Sequence, residues 1–227
     1  MKEKLISNLK VKCKQKESYS LRKYYIIQFL FLASHLFFAL IIPYDIEKVY
    51  PNVSKFIEFF TFIPVIDILN NEPSISSGIV FYVCFMLIVG LFFSVWYVKD
   101  SFHQSVMLNG FLGIYEPVKD GDIGEFNKKQ SKLVKNPEIY TLGLLLVFGL
   151  MIYGSYYYFS GDVLDLKGGS YARINDITYL QRYQTKLGAS YTTALWQGGI
   201  FFICLIGTVS EISYYIWIRK FSKKTDS

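Results

Sequence analysis

The sequence has few of the side chains on which most enzyme chemistry depends. It contains two histidines, His35 and His103, and three cysteines, and none of these is grouped at a spacing typical of a zinc site. It has no phosphate-binding glycine loop and no nucleophile elbow, and Gly168 and Gly169 are only an isolated pair. We therefore expect no metal, no other cofactor and no enzymatic activity.

Charged side chains are also scarce, and they are unevenly distributed. They make up 19% of the chain, whereas soluble domains average near a quarter, and 52% of the residues are hydrophobic. Four segments of about 20 residues are almost free of charge, which is the length that a helix needs to cross a bilayer. They are residues 24–42, 79–98, 139–159 and 195–218. The sequence thus predicts an all-α membrane protein with four transmembrane helices.

The lysines and arginines predict the orientation of these helices. Residues 1–23, 99–138 and 219–227 hold eight, six and four of them, whereas 43–78 and 160–194 hold two and four. Because positive loops stay on the cytoplasmic side, we expect both termini in the cytoplasm. The domains are then a basic arm (1–23), two helix pairs with external loops (24–98 and 139–218), a cytoplasmic loop (99–138) and a tail (219–227).

The cysteines agree with this topology. Cys13 lies in the basic arm, and Cys84 and Cys204 lie inside spans, so neither external loop can form a disulfide. The basic arm lacks the interleaved aromatic side chains of a nucleic-acid surface. We therefore assign its charge to topology and to attraction by anionic lipid, and we expect no direct binding to nucleic acid.

Both external loops are predicted to contain short helices. In the first loop, Val53, Phe56, Ile57, Phe60 and Ile63 recur at helical spacing, which predicts an amphipathic or packed helix at the outer interface, broken at Pro64. In the second loop, a short helix is predicted through "ITYLQRYQTKL", beginning at Asn175 or Asp176. The two loops together would form a small external cap.

The cytoplasmic loop carries the predicted partner surface. It begins as a helical extension of the second span through Met107 and Leu108 and continues as "GFLGIYEPVKDGDIGEF". A pure linker has no need of the apolar side chains in this stretch, which either dip into the membrane interface or bind a cytosolic partner protein. The predicted partner-binding residues are Phe111, Leu112, Ile114 and Tyr115.

Two ionisable residues fall inside the predicted spans, His35 in the first and Glu211 in the fourth. Such residues are costly in lipid and face protein, where they form interhelical hydrogen bonds or line a pore. We favour the structural role for both. Small residues on the third and fourth spans indicate close helix packing, and we expect a homo-oligomer, a dimer or a tetramer. They are Gly143, Gly149, Gly154 and Ser155, and Gly198, Gly199, Gly207, Thr208 and Ser210.

With its four spans, lysine-rich arm, "GFLGIYEPVKDGDIGEF" loop and two structured external loops, the chain resembles the membrane subunit of Kiwa-type bacterial anti-phage defence systems. The resemblance covers the whole chain at the level of size and topology. It implies a non-enzymatic sensor and scaffold that oligomerises, responds to phage at the envelope and works with a cytosolic partner acting on DNA-related processes. The chain is also similar to immunity proteins of pore-forming colicins, which are usually shorter and have smaller loops. A small ion channel is a third possibility.

Overall fold

The structure is a computed structural model, and it describes residues 21–108, 137–164, 173–174 and 177–223. Apart from short turns between helices and one short hairpin, these ranges are helical, so the all-α prediction is confirmed. The helices are α1 Leu21–Ile41, α2 Ile46–Val49, α3 Val53–Phe60, α4 Pro64–Asn71, α5 Ser77–Leu108, α6 Pro137–Phe159, α7 Tyr179–Arg182, α8 Lys186–Thr193 and α9 Ile206–Lys223. Strands β1 (Arg173–Ile174) and β2 (Ile177–Thr178) pair antiparallel, with Arg173 opposite Thr178.

Three helical stretches in the described part of the chain are long and apolar enough to cross a membrane. They are Ser77–Phe102, Leu142–Phe159 and Lys186–Ser213, and the apolar stretch of α1, Tyr25–Ile41, is shorter. In hydrocarbon a helix satisfies its own backbone hydrogen bonds, so these stretches need no further partner for their amide groups. Length and composition are thus compatible with a membrane protein.

Most ends of the long helices lie within a few residues of the prediction, and the last helical run differs most. Helix α5 continues to Leu108, as the sequence predicts. The last helical run begins at Lys186, about two turns before the predicted start at Leu195, because the side chain of Thr185 caps it by accepting a hydrogen bond from the Gly188 amide (3.1 Å). This run also contains an unpredicted π-helix, Ala194–Leu205, between α8 and α9.

Proline determines the arrangement of helices between the first two long helices. Helix α3 ends at Phe60, before Pro64, and Pro64 is the first residue of α4. The prediction of a single helix broken at Pro64 is therefore corrected to two helices. Proline suits the first helical position because its fixed φ matches the helix and no intrahelical partner exists there for an amide hydrogen.

The short helix predicted in the second loop begins later than predicted. Thr178 is the N-cap of α7, and its hydroxyl accepts from the Gln181 amide (3.2 Å) while Gln181 Oε1 accepts from the Thr178 amide (2.9 Å). This capping box satisfies two amides at the start of the helix. The predicted starts, Asn175 and Asp176, lie outside the described residues.

The chain divides into two compact units. One comprises Ile27–Ser94 and Met151–Cys204 and is called the polar-cluster unit below. In it, the segments 43–78 and 160–193 contact each other directly. The side-chain amide of Gln184 donates a hydrogen bond through Nε2 to Ser74 Oγ (3.1 Å). Gly161, at a φ of 85°, packs on the side chain of Ile68. Lys186 Nζ donates to the carbonyl of Leu40 near the end of α1 (3.0 Å).

Aromatic rings fill the interior of the polar-cluster unit. The rings of Phe31 on α1 and Phe93 on α5 are stacked with centroids 4.0 Å apart, and Phe202 of the π-helix meets Phe31 edge-on at 6.1 Å. Phe202 is fully buried against Gly90, where any side chain larger than hydrogen would overlap its ring. Glycine at position 90 thus allows α5 and the π-helix to approach each other closely.

The other compact unit comprises Met1–Ile26, Val95–Leu150 and Leu205–Ser227 and is called the Glu211 unit. Its described part holds the start of α1, the end of α5, the first part of α6, and α9. Tyr97 of α5 packs on α9, where its hydroxyl lies 3.1 Å from the position that a Cβ at Gly207 would occupy. The absence of a side chain at Gly207 leaves room for the tyrosine hydroxyl.

A buried polar cluster as the candidate functional site

The first part of the candidate site is a buried hydrogen bond between α1 and α5. His35 Nδ1 and the Tyr82 hydroxyl lie 3.0 Å apart, and His35 and Tyr82 are 0% and 1% exposed. The His35 ring also meets Phe31 of its own helix edge-on, with centroids 5.4 Å apart. The predicted intramembrane histidine is therefore inside the protein and bonded to a hydroxyl.

A group of hydroxyls continues the site. The Tyr183 hydroxyl lies 3.2 Å from that of Tyr158 and 3.3 Å from Thr193 Oγ1, and the Tyr82 hydroxyl is adjacent to the same threonine. All four side chains are buried. Tyr183 precedes the apolar stretch that starts at Lys186, and burial raises the pKa of its phenol to about 12. The cluster therefore joins a residue outside the apolar helices to His35 within them.

Several buried polar atoms around the π-helix have no hydrogen-bond partner. In the part of the chain that the structure describes there are five such side-chain atoms, and all but Ser76 Oγ lie on α8, on the π-helix or against it. They are His35 Nε2, Thr192 Oγ1, Trp196 Nε1 and Gln197 Oε1. Buried polar groups are normally paired, because one left without a partner costs about 1–3 kcal/mol, so this segment is where the described part of the chain leaves most buried polar atoms without a protein partner.

Gly198 positions the histidine against the π-helix. A Cβ at Gly198 would lie 2.8 Å from His35 Nε2 and 3.1 Å from Leu32 Cδ2. On the neighbouring residue, Gln197 Nε2 donates to the carbonyl of Val83, which follows Tyr82 on α5 (3.5 Å). His35 and Gln197 therefore meet adjacent residues of α5, and α1, α5 and the π-helix converge at the cluster.

Glu211, the other predicted intramembrane residue, lies in the Glu211 unit. It is 5% exposed, and it makes a hydrogen bond or another electrostatic interaction. Residues four apart share one face of a helix, so Glu211 lies on the side of α9 on which Gly207 contacts Tyr97. Ser210 is also buried, and its hydroxyl donates to the carbonyl of Ile206 (3.1 Å).

The sequence analysis predicted one residue of this cluster. Its two intramembrane polar residues, His35 and Glu211, belong to different compact units. The predicted partner-binding residues Phe111, Leu112, Ile114 and Tyr115 lie outside the described residues. It did not select Tyr82, Tyr158, Tyr183, Thr193 and Gln197. Gln197 was detectable, since it is an uncharged polar residue within an apolar run, whereas tyrosines near helix ends are usual at membrane interfaces.

The chemistry of this cluster is that of hydrogen bonding. Among the described residues no group of three or more His, Cys, Asp or Glu side chains could hold a metal ion. No family model, no curated protein and no solved structure matches the chain.

Proposed function

We propose that the protein is a non-enzymatic membrane sensor and scaffold with four spans in a bacterial inner membrane and both termini in the cytoplasm. It assembles as a dimer or a tetramer, holds a cytosolic partner protein and takes part in anti-phage defence, the role that the Kiwa-type resemblance implies. Helix α1 is the first of these four spans, since its apolar stretch Tyr25–Ile41 extends over most of the thickness of a hydrocarbon core.

The unsatisfied atoms at the π-helix are the observation that supports a sensor. Any arrangement of the helix that pairs them gains about 1–3 kcal/mol for each pair, and π-helical segments are rare and frequent at functional sites. Conversion from π-helical to α-helical bonding changes which residues face α1 and α5. We infer that the π-helix has two arrangements and that a stimulus at the Tyr183 end selects between them.

The burial of the cluster favours a sensor over an open channel. His35, Tyr82, Tyr158, Tyr183 and Gln197 are each at most 1% exposed in the isolated chain. An open pore needs a path that solvent reaches, and none of these side chains lines one in this arrangement. A hydrogen-bonded cluster that spans several helices is suited to transmitting a change in packing, which is what a sensor has to do.

Alanine at Gly198, with a matched control, tests this proposal. The added methyl would displace the His35 ring, whereas Val95 of α5 is 78% exposed and offers a control site away from the cluster. We expect Gly198→Ala to insert into the membrane and keep its cytosolic partner but to lose protection against phage, and Val95→Ala to behave as the unmodified protein. Plating efficiency and co-purification in mild detergent measure these outcomes.

A second variant separates signalling from folding. Tyr82→Phe keeps the ring and removes only the hydroxyl that bonds His35. Loss of protection in both variants, with normal amounts in the membrane, supports the sensor. Full protection by both variants contradicts a role for the cluster. If the unmodified protein gives survival under a pore-forming bacteriocin but not under phage, the immunity role replaces the proposed one.

A further inference from the structure

The segment between α1 and α5 exposes aromatic rings to the outside of the polar-cluster unit. Helix α3 buries Val53 and Ile57 on one face, while Phe59 is 71% exposed and Phe62, just after the helix, is 73% exposed. Exposed aromatic side chains next to one another mark a contact surface in most proteins. The question is what covers them.

A continuous row of phenylalanine rings connects Phe62 to the long helices. Successive centroids are 5.0, 6.1, 5.2, 5.2 and 6.5 Å apart along Phe38, Phe85, Phe81, Phe56, Phe60 and Phe62. The row begins on α1 and α5 and ends at the tip of the segment. Every ring before Phe62 is only half-buried, so one apolar surface continues from the spans to the tip.

Charged residues share this exposed face of α3. Lys55 and Glu58 are exposed, and Lys55 lies three residues before Glu58 and four before Phe59, so Lys55 is a neighbour of both on the helix surface. A mixed aromatic and charged face fits the headgroup region, where aromatic rings prefer the boundary and lysine extends its ammonium to water. It does not fit the centre of the hydrocarbon core.

We propose that α3 lies in the lipid–water interface of the membrane that the long helices cross and that Phe59 and Phe62 insert among the lipids. The partner of this surface is the bilayer itself, as for amphipathic helices that lie along a membrane. This inference rests on the membrane location in the proposed function. It is independent of the sensor role and of the cytosolic partner.

Photocrosslinking from the full-length protein in native membranes tests the inference. The photoreactive phenylalanine analogue benzoylphenylalanine replaces Phe62, or Phe59, and mass spectrometry identifies what it captures. The matched controls are Phe37 on α1, an exposed position on a span, and Asn70 on α4, an exposed polar position. We expect lipid adducts from positions 62, 59 and 37 in similar yield, and none from position 70.

The possible outcomes separate the two proposals. Adducts to a second copy or to another protein at position 62, with lipid adducts at 37, overturn the interfacial placement and leave the spans intact. The absence of lipid adducts at 37 as well overturns the membrane-spanning location. Equal lipid adducts at position 70 also contradict the inference, because the contact is then not specific to the aromatic tip.

Discussion

Glu211 shows how one acidic residue is accommodated in an apolar helix. It is 5% exposed, and it lies on the face of α9 that packs against Tyr97 of α5. A buried carboxyl group is costly unless it has partners, and removing it leaves those partners unpaired. Helix packing therefore stays our prediction for its role.

Two substitutions at Glu211 test this role. Glu211→Gln keeps the shape and most hydrogen bonds, so we expect it to lower the free energy of unfolding only slightly. Glu211→Leu removes the hydrogen bonds, and we expect a loss of about 1–3 kcal/mol and a lower yield of oligomer. Thermal unfolding and native mass measurement in lipid nanodiscs give both values. If Gln alone abolishes phage protection while the oligomer persists, Glu211 acts through its charge.

At the scale of single residues, the sequence predicts which side chains are energetically costly to bury in an apolar helix. It predicts less well which residues those side chains contact. His35 and Glu211 stand out because an ionisable residue in an apolar run requires an explanation. Tyr82 and Thr193 do not stand out, since tyrosine and threonine occur in many membrane helices without a special role. Their importance follows from which faces of distant helices meet, and this depends on tertiary packing.

Hydroxyls hold three elements together in the polar-cluster unit. Tyr158 lies in the last turn of α6, Tyr183 follows α7 and Thr193 ends α8. The Tyr183 hydroxyl lies within 3.3 Å of the hydroxyls of the other two. Tyr183 is fully buried, and its raised pKa, about 12, is a consequence of that burial. The ionisation of Tyr183 therefore measures whether α6, α7 and α8 remain packed together.

The cluster predicts a loss of stability at alkaline pH. An unfolded tyrosine ionises near pH 10, whereas folded Tyr183 ionises at about pH 12. The unfolded chain therefore releases a proton first, so the stabilisation is fully present below pH 10 and is lost as the pH rises toward 12. We expect a decrease on the order of 2 kcal/mol in the free energy of unfolding over this interval.

Chemical unfolding at a series of pH values, with Tyr183→Phe as the reference, measures this decrease. The variant lacks the titrating group, so its free energy of unfolding should fall less steeply between pH 10 and 12. It should also be less stable than the unmodified protein at neutral pH by about 1–3 kcal/mol, because the Tyr158 and Thr193 hydroxyls lose a partner. Parallel curves for the two proteins would show that Tyr183 ionises normally in the folded state.

At the scale of elements, hydropathy predicts the long helices and local geometry determines their ends. The extension of α5 to Leu108 follows from the helical pattern of the sequence. The π-helix Ala194–Leu205 has no signal of its own, since its residues are as apolar as those of an α-helical span. Its bonding pattern depends on the fit of Gly198 and Phe202 against α1 and α5, which hydropathy does not describe.

At the scale of the whole molecule, the distribution of cations predicts the orientation in the membrane. We expect residues 120 and 175 on opposite sides, with 175 outside, because the basic arm, middle loop and tail hold most of the lysines and arginines. A reporter enzyme that is active only in the periplasm should give signal when fused at 175 and none at 120. The reverse pattern would invert the topology and would place the predicted partner surface outside the cell.

The long helices differ greatly in how much of their surface the protein itself covers. Half of the apolar window in Ser77–Phe102 is buried, compared with 11% of that in Leu142–Phe159. A substitution in α5 therefore has to fit the side chains packed around it, whereas a substitution in α6 mainly has to remain apolar. As this gene diverges, the large apolar positions of α6 should accumulate exchanges among leucine, isoleucine, valine and phenylalanine freely, while its small residues and most of α5 should keep their residues, so evolutionary rate would distinguish the two helices.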